Sequence, residues 1–132
     1  MASSDGSAVQ DWFARRTHPN PQASAEQVGA LKRGRRVSVI LPSRDEESTL
    51  PAILSSLAGL GELIDEILVI DSRSTDGTAA VAEAAGVAVH AVTDEDDTGK
   101  GGALRLGVAR MTGDVGVFLD ADVRDFDPGF AL

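Results

Sequence analysis

The stretch Val115-Gly-Val-Phe-Leu-Asp-Ala-Asp122 runs an apolar strand directly into two carboxylates. A short run rich in Val, Phe and Leu is typical of a strand that is buried on both faces of a parallel sheet. Residues that follow such a strand lie at the carboxyl edge of the sheet, where open α/β sheets bind their ligands. Asp120 and Asp122 are two residues apart, so in an extended chain both carboxylates would point the same way and share one hard cation. The stretch predicts a divalent-metal site at a sheet edge.

Upstream of this stretch, buried strands alternate with amphipathic helices. Strands are predicted at residues 37–41, 67–70 and 87–90, with the first ending at Pro42 and the third at the periphery. A helix follows each strand; the first starts near Ser48 or Thr49 and the last spans residues 103–110. The order β-α-β-α-β-α-β predicts parallel strands joined by right-handed crossovers. The predicted fold class is α/β, a Rossmann-like parallel sheet with flanking helices.

The N-terminal segment has a different composition from the rest of the chain. Residues 1–23 mix Ser, Gly, Asn and Pro and are predicted to form a flexible arm. Ser24 and Gln27 match a capping box that opens a short helix ending near Gly34. Residues 24–132 are therefore predicted to form the domain.

Composition and charge narrow the classes of function. The 132 residues are 42% hydrophobic and include no cysteine, which excludes disulfides, thiolate metal sites and a cysteine nucleophile. No apolar run approaches the ~20 residues of a membrane span, and a cytoplasmic protein is expected. The net charge is −9, and because residues 1–36 carry +3, residues 37–132 carry −12. Such acidity argues against nucleic acid as a partner and suits a bound metal cation.

Three polar loops follow the carboxyl ends of three predicted strands. They cover residues 42–47, residues 71–78, and the residues from Asp120 onward. In a parallel sheet these loops share one edge, and their acidic and hydroxyl groups suit a ligand rich in hydrogen-bond donors, such as a nucleoside. Lys100, between two glycines, supplies a counter-charge for a diphosphate. Together the loops predict a nucleotide cleft.

Each motif also has a purely structural explanation. Asp71 or Asp76 would equally well cap a helix, and the glycines around Lys100 would equally form an ordinary turn. The Lys100 segment is not a Walker A loop, because Asp94 and Gly101 occupy its required Gly and Ser or Thr positions. No Gly-x-Gly-x-x-Gly follows the first strand, which disfavours a dinucleotide-binding domain. The prediction of a nucleotide cleft therefore rests on the three loops occurring together.

Four motifs together resemble a known family. They are Val37-Ser-Val-Ile-Leu-Pro-Ser-Arg-Asp-Glu-Glu47, Asp71-Ser-Arg-Ser-Thr-Asp-Gly-Thr78, Gly99-Lys-Gly-Gly-Ala-Leu104 and Phe118-Leu-Asp-Ala-Asp122. This combination resembles the nucleotide-sugar-binding half of a GT-A glycosyltransferase of the family 2 type, and within it the glucosyl-3-phosphoglycerate synthases. The resemblance covers about residues 25–130. The chain departs from the family pattern at Asp45, Arg73 and Ala121, where Asn, Gly and Ser are usual.

The resemblance implies a hexosyltransferase that moves glucose from UDP-glucose to the 2-hydroxyl of 3-phosphoglycerate. Asp120 and Asp122 would form the catalytic DXD motif, holding Mg²⁺ or Mn²⁺ on the UDP diphosphate. The residues implied to bind the nucleotide are Pro42, Ser43, Glu46, Asp71, Ser72, Lys100, Asp120 and Ala121.

The resemblance also predicts what lies outside the chain. The acceptor half would follow Leu132, so the chain is expected to be truncated at its C-terminus, and the full-length protein would admit a homodimer. Two alternatives stay open. One is a truncated nucleotide-binding remnant without transferase activity. The other is a haloacid dehalogenase-type phosphatase, in which Asp120 would be the nucleophile and Asp122 the general acid.

Overall fold

A computed structural model of the chain describes residues 5–16, 23–95 and 99–127, and it has the predicted α/β architecture. The helices are α1 Asp5–Arg16, α2 Ala25–Lys32, α3 Leu50–Ala58, α4 Thr78–Ala84 and α5 Lys100–Arg110, with a short 3₁₀ turn at Gly61–Leu63. The strands are β1 Val37–Ser43, β2 Glu66–Asp71, β3 Ala88–Ala91 and β4 Val115–Phe118. The predicted order of strands and helices is confirmed.

The four described strands form one parallel sheet in the order β3-β2-β1-β4. From β1 the chain moves outward through β2 to β3, and then returns across the sheet to place β4 on the other side of β1. The strand order therefore reverses between β1 and β4. Open α/β sheets bind ligands outside the carboxyl ends of the strands at such a reversal. The Rossmann-like parallel sheet predicted from the sequence is confirmed.

Helices cover both faces of the sheet because the side chains of the central strands alternate between the faces. The first face packs against α3 and α4, and its buried apolar residues are Val39, Leu41, Leu50, Ile53, Leu54, Leu57, Val69, Ala82 and Ala121. The second face packs against α5, and its buried apolar residues are Ile40, Leu68, Ile70, Val92, Ala103 and Leu106. This three-layer core fixes the sheet edge on which the loops sit.

Strand β1 continues through Pro42, so the prediction that it ends there is wrong. Proline tolerates a strand only where its missing N–H is not needed. The carbonyl of Ser43 accepts a hydrogen bond from the β2 side, at Ser72 N, 2.8 Å away. Its neighbour Pro42 therefore faces β4, whose pairing with β1 has already ended at Ile40 and Phe118. No ladder bond is lost, and β1 extends to the cleft.

Strand β4 is an edge strand, not the strand buried on both faces that its apolar sequence predicts. Among the described residues it pairs with β1 alone, and its terminal residues Val115 and Phe118 are 37% and 44% exposed. A strand with one neighbour is covered from fewer directions than a central strand. Apolar composition alone does not distinguish these two positions.

Two helices differ from the sequence-based expectation. Helix α5 begins at Lys100, three residues before the predicted start, because the poor helix propensity of Gly101 and Gly102 is overridden by packing of the helix on the sheet. Helix α1 lies within the segment predicted as a flexible arm, where no helix was expected. Residues 1–4 and 17–22 of that segment lie outside the described residues. In contrast, the capping box of Ser24 and Gln27 is confirmed at the start of α2.

We predict that Gly107→Ala destabilises the chain by about 1–2 kcal/mol, because an added methyl overpacks the contact between α5 and the sheet. A Cβ at Gly107 would lie 2.5 Å from Cγ2 of the buried Ile40 and 3.5 Å from Cγ1 of Ile70. Urea denaturation followed by circular dichroism measures the effect.

Gly101→Ala on the same helix is the matched control. Nothing lies within 4 Å of a Cβ at Gly101, so this change should leave stability unchanged or raise it by about 0.5 kcal/mol. Equal stabilities for the two variants would contradict the close approach of α5 to the sheet.

Candidate functional site

A cleft of about 350 Å³ lies at the carboxyl edge of the sheet. It is lined by residues from the loops after all four described strands and from the first turn of α5. The lining residues are Pro42, Ser43, Arg44, Glu46, Ser72, Arg73, Val92, Gly99, Lys100, Ala103, Asp120, Ala121 and Asp122. The structure thus brings the three predicted loops and Lys100 together in one place.

The loops after β1 and β2 are tied to each other by reciprocal hydrogen bonds. Asp45 N donates to Ser74 Oγ at 2.9 Å, and Thr75 N donates back to Asp45 Oδ1 at 2.7 Å. One turn further, Gly77 N donates to Glu47 Oε2 at 2.6 Å. Because bonds run in both directions, neither loop can move without breaking contacts to the other. This pairing makes one rigid wall of the cleft.

Thr49 ties the loop after β1 to the turn after β4. Its hydroxyl lies 2.6 Å from the carbonyl oxygen of Ala121 and 3.0 Å from Glu46 Oε2. The side chain of Ala121 is 2% exposed and belongs to the core on the α3 face. The small residue between Asp120 and Asp122 therefore anchors the turn, while the two aspartates on either side are exposed and line the cleft.

Asp120 and Asp122 lie in this turn, not in the extended strand that the sequence suggests. Strand β4 ends at Phe118, and Leu119 N makes the last sheet contact, to Ile40 O at 3.1 Å. The anchoring of Ala121, not strand pleating, therefore brings both carboxylates to the same cleft.

Lys100 makes an ion pair with the first of these carboxylates. Its Nζ is 2.7 Å from Asp120 Oδ1, and the two side chains are 67% and 58% exposed. The hydrogen bond to Asp120 raises the pKa of Lys100, with a further contribution from the nearby charge of Asp122. The amine therefore stays protonated at neutral pH and holds a positive charge beside the two aspartates.

The cleft residues suit a divalent cation only if the ligand itself completes the coordination. Within the described ranges, no group of three or more His, Cys, Asp or Glu side chains is placed to hold a metal ion. Mg²⁺ is commonly held by one or two carboxylates together with phosphate oxygens and water. Asp120 and Asp122 meet that pattern, and Asp122 is the better candidate because Asp120 is already bonded to Lys100.

The structure separates the predicted nucleotide-binding residues into two groups. Those that line the cleft are Pro42, Ser43, Glu46, Ser72, Lys100, Asp120 and Ala121, and the predicted metal ligand Asp122 lines it too. Asp71 does not line it. Only 9% exposed, Asp71 accepts a hydrogen bond from Ser74 N at 3.3 Å and supports the loop from below. The ligand contacts of all these residues stay predictions.

Sequence reasoning missed several residues that shape the cleft. Arg44, Val92 and Ala103 line it. Arg44 and Ala103 lie within two of the four motifs but were assigned no role, and Val92 lies in no motif. The ion pair between Arg73 and Asp94 was also missed, since it joins loops that are far apart in the sequence. Arg73 itself carries a visible signal, because it is a bulky cation inside a short loop of Ser and Thr.

A comparison with known proteins shows which family this chain resembles. The family described as "Glycosyl transferase family 2" matches residues 38–128. The chain is 39% identical over 127 residues to glucosyl-3-phosphoglycerate synthase of Mycolicibacterium paratuberculosis, covering 90% of this chain and 38% of that protein. It is 38% identical over 125 residues to the synthase of Mycolicibacterium smegmatis, covering 90% of this chain and 41% of that one. The chain spans about two fifths of the length of these relatives.

Solved structures of a glucosyl-3-phosphoglycerate synthase also resemble this chain. The Mycobacterium tuberculosis glucosyl-3-phosphoglycerate synthase in complex with Mn²⁺, UDP and glucosyl-3-phosphoglycerate superposes with a TM-score of 0.79 at 36% identity, over 87% of this chain and 43% of that one. The same enzyme with Mn²⁺, UDP-glucose and phosphoglyceric acid gives 0.78 at 35% identity, again over 87% and 43%. The likeness stated from the four motifs is confirmed.

The helices can be compared with the length and apolar character that a membrane span requires. Among the parts of the chain that the structure describes, no helix is long and apolar enough to cross a membrane. The cytoplasmic location stays a prediction.

We predict that Gly77→Ala costs about 1 kcal/mol of stability, because it breaks the hydrogen bond between the two cleft loops. A Cβ at Gly77 would lie 2.6 Å from Glu47 Oε2, which now accepts the Gly77 N–H. Thermal and urea denaturation measure the loss.

A double-mutant cycle with Glu47→Ala supplies the control. Glu47→Ala removes the acceptor, so adding Gly77→Ala to it should cost little more. If the two losses add in full, the cost of Gly77→Ala does not arise at this bond.

Proposed function

Because the chain belongs to glycosyl transferase family 2, we propose that its cleft binds a UDP-sugar and a divalent cation, as the donor half of a glycosyltransferase. The donor is UDP-glucose and the acceptor 3-phosphoglycerate, giving glucosyl-3-phosphoglycerate. The observation that carries the proposal is the convergence of Ser43, Ser72, Lys100 and the two aspartates on one cleft at the strand reversal. The family resemblance carries the choice of sugar and acceptor.

The nucleotide is proposed to lie across the sheet edge. The diphosphate end belongs at β4, where Asp122 and Asp120 would hold Mg²⁺ or Mn²⁺ and Lys100 adds a fixed positive charge. The nucleoside end belongs toward β1 and β2, where the hydroxyls of Ser43 and Ser72 and the carboxylate of Glu46 offer hydrogen bonds. This direction follows from the separation of the acidic turn from the hydroxyl-rich loops.

When bound, the metal would supply Lewis-acid stabilisation of the negative charge on the departing UDP. The chain's own residues position the nucleotide. Ala121 and Thr49 fix the acidic turn, and the paired loops after β1 and β2 keep the nucleoside wall rigid. Lys100 is positively charged throughout the neutral range, as any exposed lysine is, and its hydrogen bond to Asp120 raises its pKa further.

A second candidate is nucleotide binding by this chain without sugar transfer. The observation that favours it is that the described lining residues are accounted for by a nucleotide and a cation, with none assigned to an acceptor. An assay for UDP release from UDP-glucose with 3-phosphoglycerate separates the two: sugar transfer supports a complete transferase site, and binding without transfer supports the second candidate. Membership of the family argues against the phosphatase alternative.

We predict that UDP binds the chain only with Mn²⁺ or Mg²⁺ present, and that Asp122→Asn weakens this binding by about tenfold or more, as expected when a metal ligand loses its charge. Titration calorimetry with UDP, in the presence of Mn²⁺ or of a chelator, measures both effects. An affinity for UDP that is the same with chelator as with Mn²⁺ would contradict the proposal that a metal ion holds the nucleotide.

Asp125→Asn is the matched control, since it removes the same charge three residues away. Asp125 is exposed, is not among the cleft residues, and has φ of 52°, a conformation that Asn also tolerates. Its UDP affinity should stay within about twofold of the original, a change of ~0.4 kcal/mol.

A further inference from the structure

The strand order fixes where the nucleobase must lie, given the proposed function on which this inference rests. Strand β2 is two positions from β4 in the sheet, and adjacent strands are about 4.8 Å apart, so the two ends of the cleft are separated by roughly 10 Å. A diphosphate held at Asp120 and Asp122 would therefore leave its nucleoside pointing along the sheet edge. The base would reach the loops after β2 and β3, where Arg73 and Val92 line the cleft.

A nucleobase gains binding energy from a flat partner, and the described lining residues include no aromatic ring. Proteins stack bases on aromatic side chains or on the planar guanidinium group of arginine. Two arginines line the cleft, Arg44 and Arg73. Arg44 follows β1, which is adjacent to β4, and so lies between the diphosphate and the base. Arg73 follows β2 and lies at the nucleoside end.

The backbone of Arg73 is held in a conformation that arginine does not favour. Its φ is 59°, in the left-handed region. Hydrogen bonds of the two neighbouring residues flank it: Ser72 N donates to Ser43 O at 2.8 Å, and Ser74 N donates to Asp71 Oδ1 at 3.3 Å. Glycine would adopt this conformation without cost, so the arginine is present in spite of the backbone. A side chain retained against its backbone preference points to a role for that side chain.

The side chain of Arg73 is also positioned by an ion pair. Its guanidinium pairs with the carboxylate of Asp94, which follows β3. The Asp94 side chain is 94% exposed, so this contact spans the rim of the cleft and is not part of the core. A guanidinium group can make an ion pair through its N–H groups and also stack through its planar face.

We propose that Arg73 is a specificity-determining residue of the cleft: held by Asp94, its guanidinium covers the base of the bound nucleoside diphosphate. The base is thereby fixed on the side opposite the metal. Arg73 recognises the flat base, and Lys100 with the two aspartates recognises the diphosphate.

The test compares UDP with inorganic pyrophosphate, which has the phosphates but no base, in titrations of the chain with Mn²⁺. Arg73→Gly should weaken UDP binding about tenfold, as for loss of one base-stacking contact. Arg73→Lys, which keeps the charge without the plane, should lose nearly as much. Pyrophosphate affinity should stay within about twofold for both variants, ~0.4 kcal/mol. Asp94→Asn should give a smaller loss for UDP.

Misfolding would not account for such a loss. Glycine suits φ of 59°, so the melting temperature of Arg73→Gly should be unchanged or higher. Arg110→Gln, at the opposite end of α5, is the control for removal of one positive charge and should bind UDP as the original chain does.

Two sets of results would overturn the inference while leaving the proposed function intact: UDP binding in Arg73→Gly as tight as in the original chain or tighter, or a parallel loss for UDP and pyrophosphate. If the original chain itself fails to bind UDP with Mn²⁺, the proposed function fails, and the role of Arg73 fails with it.

Discussion

The cleft depends on the hydrogen bonds that join the loop after β1 to the loop after β2. Parallel pairing places Ser43 opposite Asp71, so the two strands end level and their loops leave the sheet side by side. Hydrogen bonds then join the two loops. Asp45 N donates to Ser74 Oγ, and Asp45 Oδ1 accepts a hydrogen bond from Thr75 N. Glu47 Oε2 accepts a hydrogen bond from Gly77 N. An exposed polar loop on its own would sample many conformations. Paired in this way, the two loops hold Ser43, Glu46 and Ser72 in a fixed relation.

The other side of the cleft depends on a close approach between helix and sheet. Gly107 lets α5 lie against Ile40 and Ile70, where any larger residue would collide with Ile40. The helix is then fixed along its length, and its first residue, Lys100, reaches Asp120. A glycine seven positions along the helix thus determines where the cationic group meets the acidic turn. Packing and site chemistry are linked through one rigid helix.

Much of the fold could be predicted from the sequence because it rests on local patterns. Apolar runs bounded by polar loops predicted the strands, and the helical spacing of Leu50, Ile53, Leu54, Leu57 and Leu60 predicted α3. The first four of these residues are buried, whereas Leu60 lies just beyond the end of α3 and is half-buried. The failures concern information that is not local. The exposure of β4 depends on its having one neighbour, and the early start of α5 depends on packing that overrides the weak helix propensity of two glycines. The pairing of Arg73 with Asp94 joins two loops that no local pattern connects.

The charges that line the cleft bear on the proposed role of a metal ion there. Residues 37–132 carry −12, yet the cleft lining balances three cations, Arg44, Arg73 and Lys100, against three anions, Glu46, Asp120 and Asp122. A balanced cleft offers a diphosphate little net attraction, and the acidic surface around it adds repulsion that salt only partly screens. Lys100 is already counted in this balance, and Asp120 offsets part of the attraction that it offers a diphosphate. A divalent cation at Asp122 would add the positive charge at the point where the diphosphate oxygens arrive. Asp120 and Asp122, which by themselves would repel an anion, would with the proposed metal become part of the group that binds it.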